Sequence, residues 1–202
     1  MNTFSHILVG NLIQKYIKEQ NGIELNWASF IYGNLLPDFR PSYKTLPHKP
    51  DSWERYIQRE IKTLSEHKQL SPQLGPNYSR RLGIICHFYA DFFCHPHTEA
   101  FEGGTYQHMK YEWDLYRFTQ KNYPVLNRAD FGGQKLALGS PEKIHSGFTT
   151  LHSAYLKEEQ AYEYDLLFTL YACINAILMI TANSITVRQF PSSDLMIGAA
   201  KG

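Results

Sequence analysis

Residues 78–94 read YSRRLGIICHFYADFFC, and this stretch decides the fold. After its two arginines, Leu82, Ile84, Ile85, Phe88, Phe92 and Phe93 leave no polar stripe on a helix of 3.6 residues per turn. A helix that is apolar nearly all round belongs at the centre of a packed protein. Pro96 marks its end. The same helix carries His87 and Asp91, an imidazole and a carboxylate four residues apart and therefore on one face.

Working outward, the neighbouring segments also have helical spacing. Phe4, Ile7, Leu8, Leu12 and Ile13 stripe a first helix, stopped by Asn21-Gly22. Trp27, Phe30, Ile31, Leu35 and Leu36 predict a short second helix ended by Pro37, and the proline-rich stretch to Pro50 must be a loop. Asp51 or Ser52 is expected to cap a third helix running to about Leu70. A fifth spans about Tyr106 to Lys121, then a loop runs from Asn122 to Ser140. Helices over about Pro141–Gln160 and Tyr162–Val187 complete the chain. No segment alternates with a two-residue period between hairpin turns, and no internal repeat is evident. The fold expected is all-α, a single-domain multi-helix bundle over residues 1–202.

The bulk numbers agree with a packed globule. Hydrophobic residues make up 43% and charged residues 19%. Twenty basic against nineteen acidic residues leave a net charge of +1, which gives no long-range attraction for nucleic acid. Cys86, Cys94 and Cys173 form no C-x-x-C pair, so buried thiols are expected rather than a disulfide framework. The opening MNTFSHILVGNLI lacks a basic n-region and a small-residue cleavage site. The uncharged run Leu166–Val187 is long enough to span a bilayer, but Thr169, Asn175, Thr181, Asn183 and Ser184 dilute it. A buried core helix and a cytoplasmic location are therefore the expectation.

The chemistry gathers around the central helix. His97 follows Asp91 by six residues, with His95 beside it, and His108 and Glu112 repeat the four-residue spacing on the next helix. Two helices each presenting a histidine–carboxylate pair are a common way to build a metal site. Upstream, Asp38 follows an apolar helix and His48 lies between Pro47 and Pro50. Taken singly, each has a plainer reading. His87–Asp91 makes an intrahelical hydrogen bond, Asp38 is a capping residue, His48 an exposed loop histidine and His6 a hydrogen-bonded core histidine. Burying His87 and Asp91 without a partner, however, costs several kcal/mol, and a divalent cation would supply that partner.

In order along the chain, His6, Asp38, His48, His87, Asp91, His97, His108 and Glu112 resemble the metal-binding series of the zinc-dependent phospholipase C family. The fungal single-strand zinc nucleases share that fold and order. The resemblance covers the first 112 residues and implies up to three zinc ions. Asp38, His48, His87 and Asp91 would hold one. Asp91 would bridge to a second, also bound by His6, and His97, His108 and Glu112 would take the third. Asp38 and Asp91 are the implied catalytic residues, Asp91 by bridging and Asp38 by orienting water or acting as base.

Three departures bear on this. The secreted members use the α-amino group of an N-terminal Trp as a ligand, which here leaves that site weaker, filled by Met1 or vacant. Pro96 immediately precedes His97, so His95 competes with it, and the six-residue spacing favours His97. Nothing after Glu112 is matched. The implied activity is hydrolysis of a small phosphoester or phospholipid by zinc-activated water, with transient membrane contact and no stable nucleic-acid complex. The rivals are a single-strand nuclease or nucleotidase, and a non-catalytic metal-binding protein that keeps the fold. Tyr43, Trp53, Tyr106 and Tyr111 are candidates to line a pocket, core packing being the alternative.

Overall fold

A computed structural model describes residues 1–131 and 140–185. Seven α-helices run through them: α1 Thr3–Asn21, α2 Trp27–Phe39, α3 Pro50–Glu66, α4 Pro76–Phe92, α5 Thr105–Leu126, α6 Pro141–Tyr155 and α7 Tyr162–Ser184. Short 3₁₀ turns occupy Pro41–Tyr43 and His95–His97. Among the described residues there is no strand, only the isolated bridges Glu24–Gln73 and Gln69–Ile185. The all-α reading is correct.

The helix ends follow local chemistry. The Ser5 amide donates to the Asn2 side chain at the start of α1, and Gly22 closes that helix at φ 66, a left-handed conformation that suits glycine. Asn26 caps α2 through the Ser29 amide. Three sequence expectations are corrected. Pro37 does not end α2; it lies inside the last turn, and the Arg40 amide still donates to the Leu36 carbonyl at 2.9 Å. A proline this near the end forfeits little of the ladder, and Asp38 therefore rides on the helix instead of following it. Neither Asp51 nor Ser52 caps α3, which opens with Pro50 at its first position and stops at Glu66. The expected loop from Asn122 begins as helix, since α5 continues through Pro124 to Leu126. Residues 132–139 of that loop, and Thr186 and Val187 of the last predicted helix, lie outside the described residues.

Helix α4 is central, buried from Leu82 to Phe92. It meets α2 at backbone distance. A Cβ on Gly33 would stand 2.1 Å from the Arg80 carbonyl oxygen, and one on Gly83 would stand 2.3 Å from that of Phe30. Only glycine at both positions allows this approach. Helix α7 is apolar enough to cross a membrane by length and composition, yet 67% of its apolar window is buried, and it packs on α3, α4, α6 and α1 as a core helix. Cys86, Cys94 and Cys173 are free and buried.

Candidate metal centre

Helix α4 positions the middle of the site. His87 and Asp91, 0% and 1% exposed, point from one face of it toward the start of α1. The close packing of α2 brings the Asn34 carbonyl to 2.7 Å from His87 Nδ1, so Nδ1–H donates there and Nε2 keeps its lone pair. That Nε2 lies 3.2 Å from Asp91 Oδ2, 3.2 Å from His48 Nδ1 and 3.7 Å from Asp38 Oδ1. His48 is oriented the same way. Its Nε2–H donates to the Tyr43 carbonyl at 3.2 Å, which turns Nδ1 toward Asp91 Oδ2 at 2.7 Å.

The other oxygen of Asp91 faces a second group. Its Oδ1 lies 3.3 Å from His6 Nε2 and 3.9 Å from His97 Nε2, and it accepts a hydrogen bond from the Met1 amine. That amine is 3.3 Å from His97 Nε2 and 3.1 Å from Glu112 Oε1. Glu112 Oε1 in turn meets His97 Nε2 at 3.1 Å and His108 Nε2 at 3.0 Å. All eight residues singled out in the sequence are thus brought together. His95 is not: its ring packs on Phe101 and Tyr111, and it is His97 that enters the cluster.

The electrostatics follow from this crowding. Burial works to raise the Asp91 carboxyl, but the Met1 ammonium, His97, His87 and the His48 hydrogen bond hold it well below the usual carboxylate range. Glu112 is held down against burial by the Met1 ammonium, His108 and His97. The Met1 amine is raised, since Asp91 and Glu112 outweigh its burial. Burial, with His87 adjacent, pushes His6 down to about 4, so its imidazole is neutral and able to ligate at neutral pH.

Of this cluster, Met1, Asp38, Asp91, His97, His108 and Glu112 line a cleft of about 390 Å³ whose wall also includes Phe39 and Lys44. A larger groove of about 610 Å³ lies beside α6 and α7, but its lining holds no imidazole, carboxylate or thiol. Both groups of closely spaced metal donors among the described residues include residues that line the smaller cleft.

A family model described as zinc dependent phospholipase C matches residues 5–162. The chain belongs to the zinc-dependent phospholipase C family. No curated protein and no solved structure matches it. The residues present fit the zinc of that family. Two groups, Asp38–His48–His87–Asp91 and Cys94–His97–Glu112, each bring ligand atoms within 4.8 Å of one another. Imidazole nitrogen, carboxylate oxygen and thiolate sulfur are all zinc donors. Fully buried His6 leaves Nδ1 without a hydrogen-bond partner and turns Nε2 to Asp91 Oδ1 alone, 3.3 Å away, an arrangement that a cation would relieve. The backbone carbonyls that hold His48 and His87 are the outer contacts metal-binding histidines need.

The family match contains every sequence-predicted donor but leaves out two further groups at the site. The first is the Met1 amine, one of the alternatives the resemblance leaves open for the N-terminal ligand. The second is Asp165 on α7, 1% exposed, which accepts hydrogen bonds from Tyr155 Oη at 2.7 Å, Tyr111 Oη at 3.0 Å and the His95 amide at 3.2 Å. Asp165 thereby fastens the His95–His97 turn to α5, α6 and α7. The aromatic candidates divide. Tyr43 and Trp53 pack with Tyr56 and Phe88, Tyr111 is buried on Asp165, and Tyr106 alone stands 74% exposed.

Proposed function

We propose that this cleft hydrolyses a phosphoester, with zinc held in up to three positions by His6, Asp38, His48, His87, Asp91, His97, His108 and Glu112. The observation that carries the reading is the division of Asp91: Oδ2 faces His48 and His87, while Oδ1 faces His6 and His97. A carboxylate whose two oxygens address separate donor sets is suited to bridge two ions. Zinc, when bound, acidifies a water molecule toward neutral pH and offsets phosphate charge.

The chain's own groups do the rest. Asp38, 29% exposed and the least buried carboxylate of the cluster, orients the attacking water and accepts its proton at a carboxylate oxygen. Its seat on the last turn of α2 fixes it relative to His87. The exposed Lys44 on the cleft wall offers a cation to a phosphate oxygen. His97, His108 and Glu112 form the opposite wall, where the leaving oxygen is stabilised. No serine or cysteine nucleophile is required. The substrate class is a small phosphoester or a phospholipid head group, reached by transient membrane contact, and the reaction needs no stable nucleic-acid complex.

The test combines metal analysis with turnover. Zinc-replete protein should hold at least two ions and cleave a chromogenic phosphodiester or a short-chain phospholipid, and chelation should abolish turnover until zinc is restored. Protein with its ions bound that turns over neither substrate would leave a metal-binding scaffold and sink the hydrolase reading.

A further inference from the structure

Cys94 stands immediately before the His95–His97 turn, and the hydrolytic chemistry gives it no task. It differs from the other two cysteines. Cys173 Sγ donates to the Cys86 carbonyl at 3.6 Å, and these two thiols share an apolar contact between α4 and α7. Cys94 is 0% exposed, and burial, with Asp165, Glu112 and Asp91, pushes its thiol well up against the pull of the Met1 amine. It is buried in the core, with His97 and Glu112 as its near polar neighbours.

The local geometry is that of a ligand pair. Cys94 and His97 form a C-x-x-H spacing around a 3₁₀ turn, in which residues three apart eclipse and project to the same side. The His97 amide donates to the Cys94 carbonyl at 2.8 Å and fixes that turn. As a result Cys94 Sγ, a His97 ring nitrogen and a Glu112 carboxylate oxygen all lie within 4.8 Å of one another. Ligands on a tetrahedral zinc at ordinary bond lengths stand about 3.3–3.7 Å apart, so the three are within small side-chain adjustments of a shared ion. A second observation marks the spot as one that takes a cation: the Met1 ammonium lies between Asp91, His97 and Glu112 and within their hydrogen-bonding reach.

We propose that Cys94 is a thiolate ligand of the ion held by His97 and Glu112. The inference rests on the zinc reading of the cleft. On binding, the Sγ–H bond breaks, its proton leaves to solvent, and sulfur replaces a water on the divalent ion. With His108, whose Nε2 is 3.0 Å from Glu112 Oε1, the set becomes one thiolate, two imidazoles and one carboxylate. Such an ion would brace α5 against the turn that follows α4 while it still faces the cleft, where zinc can expand to a fifth, exchangeable ligand.

Cobalt(II) in place of zinc tests this without an activity assay. Cobalt-loaded protein should show the intense near-ultraviolet thiolate-to-cobalt charge-transfer band, and a Cys86→Ala/Cys173→Ala double variant should keep it. Cys94→Ser should lose the band and weaken binding of one ion by at least about tenfold, the scale seen even for outer contacts of a metal. If Cys94→Ser fails to fold, the double variant, whose one thiol is Cys94, still decides. Cobalt bound at the stoichiometry of zinc without the band, or a band that survives in Cys94→Ser, overturns the proposal and leaves the hydrolase reading standing. Protein that takes up no cobalt overturns both.

Discussion

Asp91→Asn is the most demanding perturbation of this protein because it alters charge and almost nothing else. The Asp91 carboxylate is 1% exposed, is the counter-ion of the Met1 amine and the partner of His48, and has His87, His6 and His97 close by. Even with no ion bound, the variant leaves those groups facing one another. Breaking a buried ion pair from one side costs about 3–5 kcal/mol. At about 2–4 °C per kcal/mol for a chain of this size, the chelated variant should melt about 6–20 °C below the chelated wild type. The sign with pH is fixed. A carboxyl held below its unfolded value of 3.8 contributes stability above that value and loses it only as pH falls through the lower folded value. The gap should therefore persist between pH 7 and pH 5. Circular-dichroism melts in chelator measure it, with Asp114→Asn as the control, since Asp114 pairs with the exposed Lys110 on α5. Elemental analysis of the unchelated variant should show the loss of the bridged ions. A chelated Asp91→Asn protein melting within about 2 °C of wild type, a shift worth under 1 kcal/mol, would refute the reasoning.

Asp165 should act on stability in the opposite sense. Burial pushes its carboxyl up to about 6 against the hydrogen bonds from Tyr155, His95 and Tyr111, so its contribution is full below 3.8 and is lost as pH rises through about 6. The whole difference corresponds to about 3 kcal/mol, and urea melts should show wild type losing about 2 kcal/mol of it relative to Asp165→Asn between pH 4 and pH 6.5. Gly83→Ala drives a methyl into the Phe30 carbonyl, and overpacking of this kind should cost about 3 kcal/mol or more and reduce zinc affinity, because Asn34 and Asp38 move with α2. Gly75→Ala, with nothing within 4 Å, is the control, and isothermal titration measures the affinity. His97→Ala should lose bound zinc and turnover, while His95→Ala should keep its full zinc content. Equal losses from the two would contradict the placement of the His95 ring against Phe101.

Much of the site is legible from spacing, because a helix repeats. Residues four apart share a face whatever surrounds them, so the sequence alone marks His87 with Asp91 and His108 with Glu112 as paired donors. His6 is harder, since an imidazole beside an apolar stripe reads as a core residue until its unpartnered Nδ1 and its approach to Asp91 are visible. Pro37 misleads, because the rule that proline ends a helix weakens in the last turn, where few bonds remain to be broken. Asp165 leaves no pattern at all. Its donors come from residues 95, 111 and 155, and no periodicity links them. The close approach at Gly33 and Gly83 is hidden for a related reason: a missing Cβ acts only through the helix opposite.

The cleft joins parts of the chain that are remote in sequence, with 96 residues between Met1 and His97 and 110 between Asn2 and Glu112, whose carbonyl accepts from the Asn2 side-chain amide. An unfolded chain cannot hold the whole set at bonding distance, so the proposed ions would favour the native state. Mass action then ties persistence to supply: free metal at a hundred times its dissociation constant adds about 2.7 kcal/mol for each site. Under metal starvation the same polypeptide becomes a poorer survivor of heat and proteases, and its abundance in a cell should rise and fall with zinc availability without any change in its synthesis.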